Sequence, residues 1–330
     1  MAQVTVFGAG AMGTAMAMHA ARLGADVALW ANPVDEPALR AIRSDGKHPA
    51  LPEHLPERLS VFGPDDLGAA ADGCEVAIMA ASSAGARSLA KMVEGSVSGL
   101  RLVVSVAKGL ESDSGKRTSQ VYAEEFAGVP VAAIGGPCLA AELAQGLPTA
   151  AVWGGPTVDD ARIGGSIAEG PTYQVVYTDD LPGLEFCSVA KNVTAIGMGL
   201  LDGLGQTLSE DFKNAKAALF TKGITEVAEF IQALGGRWET AMGLAGLGDI
   251  LVTGLGGRNR LYGELVGAGG DPMTALHDMQ ERGMTVEGVD SARDVHRLAT
   301  EHAMELPFHT AIFRVLLEGG DPRTLLEVLC

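Results

Sequence analysis

The chain has 330 residues, enough for two domains, and 47% of them are hydrophobic, so a sizeable core is available and disorder is not expected. Its formal net charge is −17 and its isoelectric point is near 4.8. A field of that sign repels phosphate backbones and anionic lipid, which argues against nucleic acid or a membrane surface as partner; an anionic small molecule would need a local cluster of cations and backbone N–H groups.

Gln3-Val4-Thr5-Val6-Phe7 opens the chain as a strand, without the basic and apolar regions of a signal peptide. Further strands are expected at 26–30, 75–80, 102–106, 131–135, 149–153 and 173–177. Ala- and Leu-rich segments with apolar spacing near 3.6, such as 13–23 and 84–93, lie between them. This alternation predicts an α/β unit with a mostly parallel, doubly wound sheet covered on both faces. Pro33 to Pro56 reads as a long, Pro-rich, loop-like region. From Leu184 onward the pattern is helical, with Gly-rich joints at 203–205, 235–236, 254–257 and 267–270. The expected domains are therefore 1–181, dinucleotide-binding, and 182–330, an all-helical substrate and catalytic domain. The apolar stretch 193–201 is too short to span a bilayer. Cys74, Cys138, Cys187 and Cys330 are scattered, with no Cys-x-x-Cys pair, and no His-Glu-x-x-His helix is present. That usage suits a reducing cytoplasm and no metal.

Gly8-Ala9-Gly10-Ala11-Met12-Gly13 follows the first strand directly and opens a helix. In that context G-x-G-x-x-G predicts a Rossmann site for a dinucleotide: Gly8 for the tight turn, Gly10 for close approach of the pyrophosphate, and Gly13 for helix–strand packing. Free N–H groups at the helix N-terminus would face the phosphates. Asn32 stands just past the second strand, near the ribose, with Asp35 and Glu36 after it and no Arg between Trp30 and Pro37. This leans toward NAD over NADP, unless a helix following Pro37 folds back and brings Arg40 or Arg43 toward the ribose.

Two lysines lie in apolar settings: Lys108 after Leu102-Val103-Val104-Ser105-Val106-Ala107, and Lys191 within Ser188-Val189-Ala190-Lys191-Asn192-Val193. A lysine in such a setting either snorkels or pairs, or else serves as a proton donor to a carbonyl oxygen. The motifs then line up in one order. They are GAGAMGTAMA (8–17), AKGLE (107–111), GGPCLAAELAQGLPTA (135–150), KNVTAIGMGLLDGLG (191–205), NAKAALFTKG (214–223), GLAGLGDILVT (243–253), GGRNR (256–260) and VEG (286–288).

In these motifs the chain resembles the NAD(P)-dependent glycerol-3-phosphate dehydrogenases, from the first strand to about Pro307. The resemblance implies interconversion of sn-glycerol 3-phosphate and dihydroxyacetone phosphate, with the site in a cleft between the domains. Lys191 matches the catalytic general acid–base, Lys108 a second lysine near substrate and cofactor, and Asp249 an acid that orients the amine. Gly136, Cys138, Asn192, Thr253, Arg258 and Asn259 match substrate contacts, Arg258 and Asn259 on the phosphate. Gly8, Gly10, Ala11, Met12, Gly13, Asn32, Lys108, Ala140, Arg258 and Glu287 match the cofactor side. A guanidinium fork suits phosphate because two parallel N–H···O bonds fix position and orientation together.

The chain departs from the family at several places. Met12 replaces an aromatic residue, Ala80-Ala81-Ser82 replaces Val-Pro-Ser, and Cys138 replaces a Ser or Thr; the connection from Gly205 to Asn214 is longer. These departures leave open a reductase of the same architecture for another phosphorylated ketose or a hydroxy acid. A non-catalytic NAD(P)H-binding regulator would have no need of Lys108, Lys191, Asp249 and Arg258 together. The sequence does not fix the oligomeric state, a homodimer being compatible with it.

Overall fold

The structure, a computed structural model, describes residues 3–330. The chain divides into two compact units, one running to Leu181 and one from Pro182 to Cys330.

In the first unit eight strands form one sheet: β1 (Gln3–Phe7), β2 (Asp26–Trp30), β3 (Ser60–Phe62), β4 (Val76–Met79), β5 (Leu102–Ser105), β6 (Val131–Gly135), β7 (Thr149–Gly154) and β8 (Tyr173–Thr178). Their order is β3-β2-β1-β4-β5-β6-β7-β8, and all neighbours are parallel except β6 and β7. The helices between and beside them are α1 (Ala11–Arg22), α2 (Glu36–Asp45), α3 (Leu67–Ala71), α4 (Ala86–Val93), α5 (Thr118–Glu125), α6 (Ala140–Gln145) and α7 (Val158–Gly165). Successive strand residues point to opposite faces, and the core splits accordingly. Val4, Val6, Val27, Leu29, Ile78 and Val104 join one apolar cluster, while Phe7, Trp30, Ala77, Met79 and Val103 join the other. The continuous apolar strands are those of a sheet covered on both faces. Strand order reverses direction at β1 and β4, the switch point where doubly wound sheets bind ligands beyond the strand C-termini.

β3 was not anticipated, and α2 is the helix expected after Pro37, inside a stretch that reads as loop-like overall. The stretch 33–56 carries α2, which opens with Pro37 in its first turn, where a missing N–H costs nothing, and ends on Gly46 at φ +65°. β3 is a three-residue strand on the sheet's outer edge, too short to show a periodicity.

The second unit is helical: α8 (Leu181–Leu208), α9 (Lys213–Ala233), α10 (Trp238–Met242), α11 (Asp249–Leu255), α12 (Arg258–Gly267), α13 (Pro272–Glu281), α14 (Gly288–Glu301), α15 (Pro307–Leu317) and α16 (Thr324–Glu327). α8 runs unbroken through Gly203–Gly205, which the sequence suggests as a joint. A glycine inside a helix costs about 1 kcal/mol relative to alanine, and close packing explains its presence here. A Cβ on Gly199 or Gly203 would lie 2.1 Å from the carbonyl oxygen of Arg260 or Glu264 on α12. Reciprocally, a Cβ on Gly263 or Gly267 would lie 2.2 Å from the carbonyl oxygen of Ile196 or Leu200 on α8. The two helices cross backbone to backbone, and the crossing sets the N-terminus of α12 beside the middle of α8. By length and composition the 28-residue α8 is apolar enough to cross a membrane, so the shortness of 193–201 does not decide the matter. Burial does: 94% of its most apolar window lies inside the protein, as in a core helix.

Candidate active site

In the first unit the Gly-rich loop sits at the C-terminal end of β1. Gly8 has φ +116°, and a Cβ there would lie 2.5 Å from the Ala80 carbonyl oxygen. A Cβ on Gly13 would lie 2.2 Å from the carbonyl oxygen of Gly8, so strand and helix close on each other at that point. Around Gly10 nothing stands within 4 Å of the Cβ position. Two of the three glycines are thus required by packing, and the third faces open space, which is what close approach of a pyrophosphate needs. Gly10 also begins α1 without a side-chain cap, so a bound anion can supply what a capping oxygen normally would.

Asp35 makes a contact the sequence did not suggest. Its Oδ2 accepts hydrogen bonds from the backbone N–H of Ala9 at 2.8 Å and of Asn32 at 3.1 Å. The carboxylate therefore ties the turn after β2 to the Gly-rich loop. Asn32 is buried, and its Oδ1 accepts from the Val34 N–H at 2.8 Å, capping the short turn Pro33–Asp35. Glu36 faces Arg40 at 3.6 Å on the surface. His48 is buried behind this turn; burial pushes its imidazole below the ordinary value, while the Ala9 backbone and Asp35 pull it partly back.

Met12, Lys108, Gly136 and Cys138 come together around a cavity of about 20 Å³, with Met16, Val106, Ile134 and Gly135 also in its wall. That is room for about one water. Lys108 is half-buried and its Nζ donates to the Gly136 carbonyl at 3.3 Å. Gly136 has φ +96°, a conformation in which that carbonyl can face the lysine. Cys138 belongs to the buried core on that face, and Ala11, Met12 and Ala140 pack against the same cluster.

In the second unit the predicted residues also converge. Lys191, on α8, is 5% exposed, and its Nζ donates to Asp249 Oδ1 at 2.7 Å. Asp249 is the first residue of α11, delivered by a π-helical turn over Leu244–Gly248. The wider turn rests on Gly246, where a Cβ would lie 2.1 Å from the Ala241 carbonyl oxygen. Thr253, one turn along α11, donates its hydroxyl to the Asp249 carbonyl at 2.6 Å and stands 3.4 Å from Lys191 Nζ. A buried ammonium and carboxylate survive together only when closely paired and hydrogen-bonded.

Asn192 Oδ1 accepts from Asn259 Nδ2 at 2.9 Å, and Asn259 Oδ1 accepts from the Gly288 N–H at 3.0 Å. This chain runs from α8 through the start of α12 to the start of α14, which Glu287 precedes. Asn192 Nδ2 is buried and has no hydrogen-bond partner among the described residues. Such a donor costs about 1–3 kcal/mol unless something accepts from it, so it marks a place where a polar ligand atom fits. Arg258 is the first residue of α12 and is exposed, with no acidic partner among the described residues. The Gly-x-x-x-Gly pairs 199–203 and 263–267, which seat this group, are legible in the sequence as a sign of close helix packing.

Comparison with known proteins places these two constellations in context. The profile of the NAD-dependent glycerol-3-phosphate dehydrogenase N-terminus matches residues 3–159, and that of the C-terminus matches residues 180–327. The chain belongs to the glycerol-3-phosphate dehydrogenase family. It is 37% identical to a glycerol-3-phosphate dehydrogenase [NAD(P)+] of Salinibacter ruber, over 100% of this chain and 95% of the relative. A crystal structure of glycerol-3-phosphate dehydrogenase from Coxiella burnetii superposes with a TM-score of 0.87 at 33% identity, covering 99% of this chain and 98% of that one. The glycerol-3-phosphate dehydrogenase of Saccharomyces cerevisiae shares the fold at 22% identity, with a TM-score of 0.83 and 99% of both chains covered.

Proposed function

We propose that this chain interconverts sn-glycerol 3-phosphate and dihydroxyacetone phosphate, using NAD or NADP, with Lys191 as general acid–base. The observation that carries the reading is the buried Lys191–Asp249 pair beside the orphaned amide of Asn192. The unit up to Leu181 is the dinucleotide-binding domain, and residues 182–330 form the substrate and catalytic domain. The open face at Gly10 and the N-terminus of α1 suit the pyrophosphate, with Ala11, Met12 and Gly13 on the same helix turn. When bound, the nicotinamide supplies or accepts the hydride.

The protein's own residues handle charge and protons. In ketone reduction Lys191, held as ammonium by Asp249, donates a proton to the oxygen that becomes the alcohol. In the reverse direction the neutral amine accepts that proton. Asn192 Nδ2 donates to the same oxygen or to a neighbouring hydroxyl, and Lys108 adds positive charge on the cofactor side. Arg258 and Asn259 hold the phosphate, Arg258 through its free fork at the first turn of α12. Thr253 keeps the amine and carboxylate aligned. Lys191 and Arg258 in the second unit supply local positive charge against the repulsion expected from a net charge of −17. We assign the protein to the cytoplasm, where its four free cysteines remain reduced.

The test is cofactor oxidation against a panel of phosphorylated ketones, dihydroxyacetone and hydroxy-acid precursors. Preferred turnover of dihydroxyacetone phosphate supports the reading. Preferred turnover of another compound replaces it.

A further inference from the structure

We infer that Asp202 and Arg260 are positioning residues that aim Arg258, acting through the turn between α11 and α12. The inference rests on the proposed role of Arg258 at the substrate phosphate. The two arginines of Gly256-Gly257-Arg258-Asn259-Arg260 have different fates in the structure. Arg258 is exposed and without an acidic partner among the described residues, whereas Arg260 is fully engaged. Its Nε and second terminal nitrogen lie 2.9 and 2.7 Å from Asp202 Oδ2 on α8, and its other terminal nitrogen donates to the Leu255 carbonyl at 2.9 Å. Asp202 Oδ1 faces Lys216 Nζ of α9 at 2.8 Å. One carboxylate thus joins three helices, and the guanidinium extends the joint to the last residue of α11.

The turn itself has little else to hold it. Leu255 is 71% exposed, so its side chain anchors nothing. Nothing lies within 4 Å of the Cβ position of Gly256, and the nearest atom to that of Gly257, whose φ is +106°, is 3.9 Å away. Two glycines without side-chain contacts form the most permissive backbone a turn can have. On the far side Arg258 is fixed through Asn259, which is buried and bonded to Asn192 and Gly288. On the near side the Arg260–Leu255 bond does the equivalent work. A half-exposed ion pair adds little to stability, so the expected consequence of breaking it is loss of aim.

The readout is selectivity, taken as kcat/KM for dihydroxyacetone phosphate divided by kcat/KM for dihydroxyacetone. In Asp202→Ala and Arg260→Gln this ratio should fall on the order of ten- to a hundredfold, chiefly through KM for the phosphorylated ketone. Activity on dihydroxyacetone should stay within about twofold. In an Arg258→Ala background the same substitutions should not change the ratio further, because their effect passes through Arg258. If Asp202→Ala fails to fold, Arg260→Gln carries the test, since it leaves Asp202 paired with Lys216. An unchanged ratio, or an equal fall with Arg258 already removed, overturns the inference while leaving the enzyme's function intact. A wild-type protein that does not turn over dihydroxyacetone phosphate overturns instead the function on which it rests.

Discussion

The ammonium of Lys191 lies 2.7 Å from the carboxylate of Asp249, and the two side chains are only 6% and 2% exposed. Taking one partner away leaves a buried, uncompensated charge, which costs about 3–5 kcal/mol. Asp249→Ala should therefore lower unfolding free energy by that amount in urea titrations and also abolish turnover. Lys191→Met combined with Asp249→Leu should recover most of the stability and none of the activity. A single Asp249→Ala variant as stable as the parent would mean that the pair is not buried as described.

The Gly-rich loop separates packing from binding. Gly13→Ala puts a methyl 2.2 Å from the Gly8 carbonyl oxygen, and overpacking of that kind costs about 1–3 kcal/mol. Gly10→Ala meets open space and should lose about 1 kcal/mol or less as an N-cap change. Its cofactor affinity should nevertheless fall at least about tenfold, because the methyl occupies the approach of the pyrophosphate. Calorimetric melting and cofactor titration of both variants check the contrast; equal effects in both assays would count against it.

Sequence alone showed the sheet well, and physical reasons explain where it did not. Buried strands such as Val4–Phe7 and Val131–Gly135 are continuous apolar runs, and no partner is needed to recognise them. β3 pairs along one edge only, and its three residues carry no pattern. The stretch 33–56 reads as loop-like overall, yet Pro37 stands in the first turn of the helix expected after it, where a proline gives up no hydrogen bond. Gly203 and Gly205 looked like breakers, and at Gly203 the α12 backbone overrides propensity. In the candidate site the residue types were legible, but the geometry was not. Asp249 reaches Lys191 across 58 positions, and Asp35 reaches Ala9 across 26. Contacts of that range come from the fold.

Asp35 bears on cofactor choice. Its carboxylate is fixed beside the Gly-rich loop by Ala9 and Asn32, and Arg40 is turned toward Glu36. A 2′-phosphate adds up to two negative charges near that carboxylate. We expect kcat/KM for NADH to exceed that for NADPH by about tenfold or more, and Asp35→Ala to narrow the gap. Kinetics with both cofactors at one salt concentration decide it; a preference for NADPH would reverse the assignment.

His19 and His48 predict an acid sensitivity of the first unit. Burial lowers the imidazole of His19, with Arg22 adding to the effect and the Ala168 carbonyl, 2.7 Å from Nε2, opposing it. Burial likewise lowers that of His48. Below about pH 6.5 the unfolded chain takes up protons that the folded chain does not. The stability present above that value is therefore lost as pH falls through the interval down to the folded values. Melting midpoints of the parent, His19→Gln and His48→Gln between pH 7.5 and 5.5 should show a smaller pH dependence in each variant. Identical slopes in all three would remove the histidines from the explanation.

The central claim is that Lys191 moves the proton in the reduction of dihydroxyacetone phosphate. General acid–base groups contribute about 10²–10⁴-fold to rate, and the amine stands in the second unit, whereas the Gly-rich loop belongs to the first. The most direct measurement compares the parent with Lys191→Ala in cofactor oxidation driven by dihydroxyacetone phosphate, alongside cofactor binding by fluorescence. The account predicts a rate at least a hundredfold lower with cofactor affinity within a few-fold of the parent. A variant that keeps more than about a tenth of the rate would contradict it.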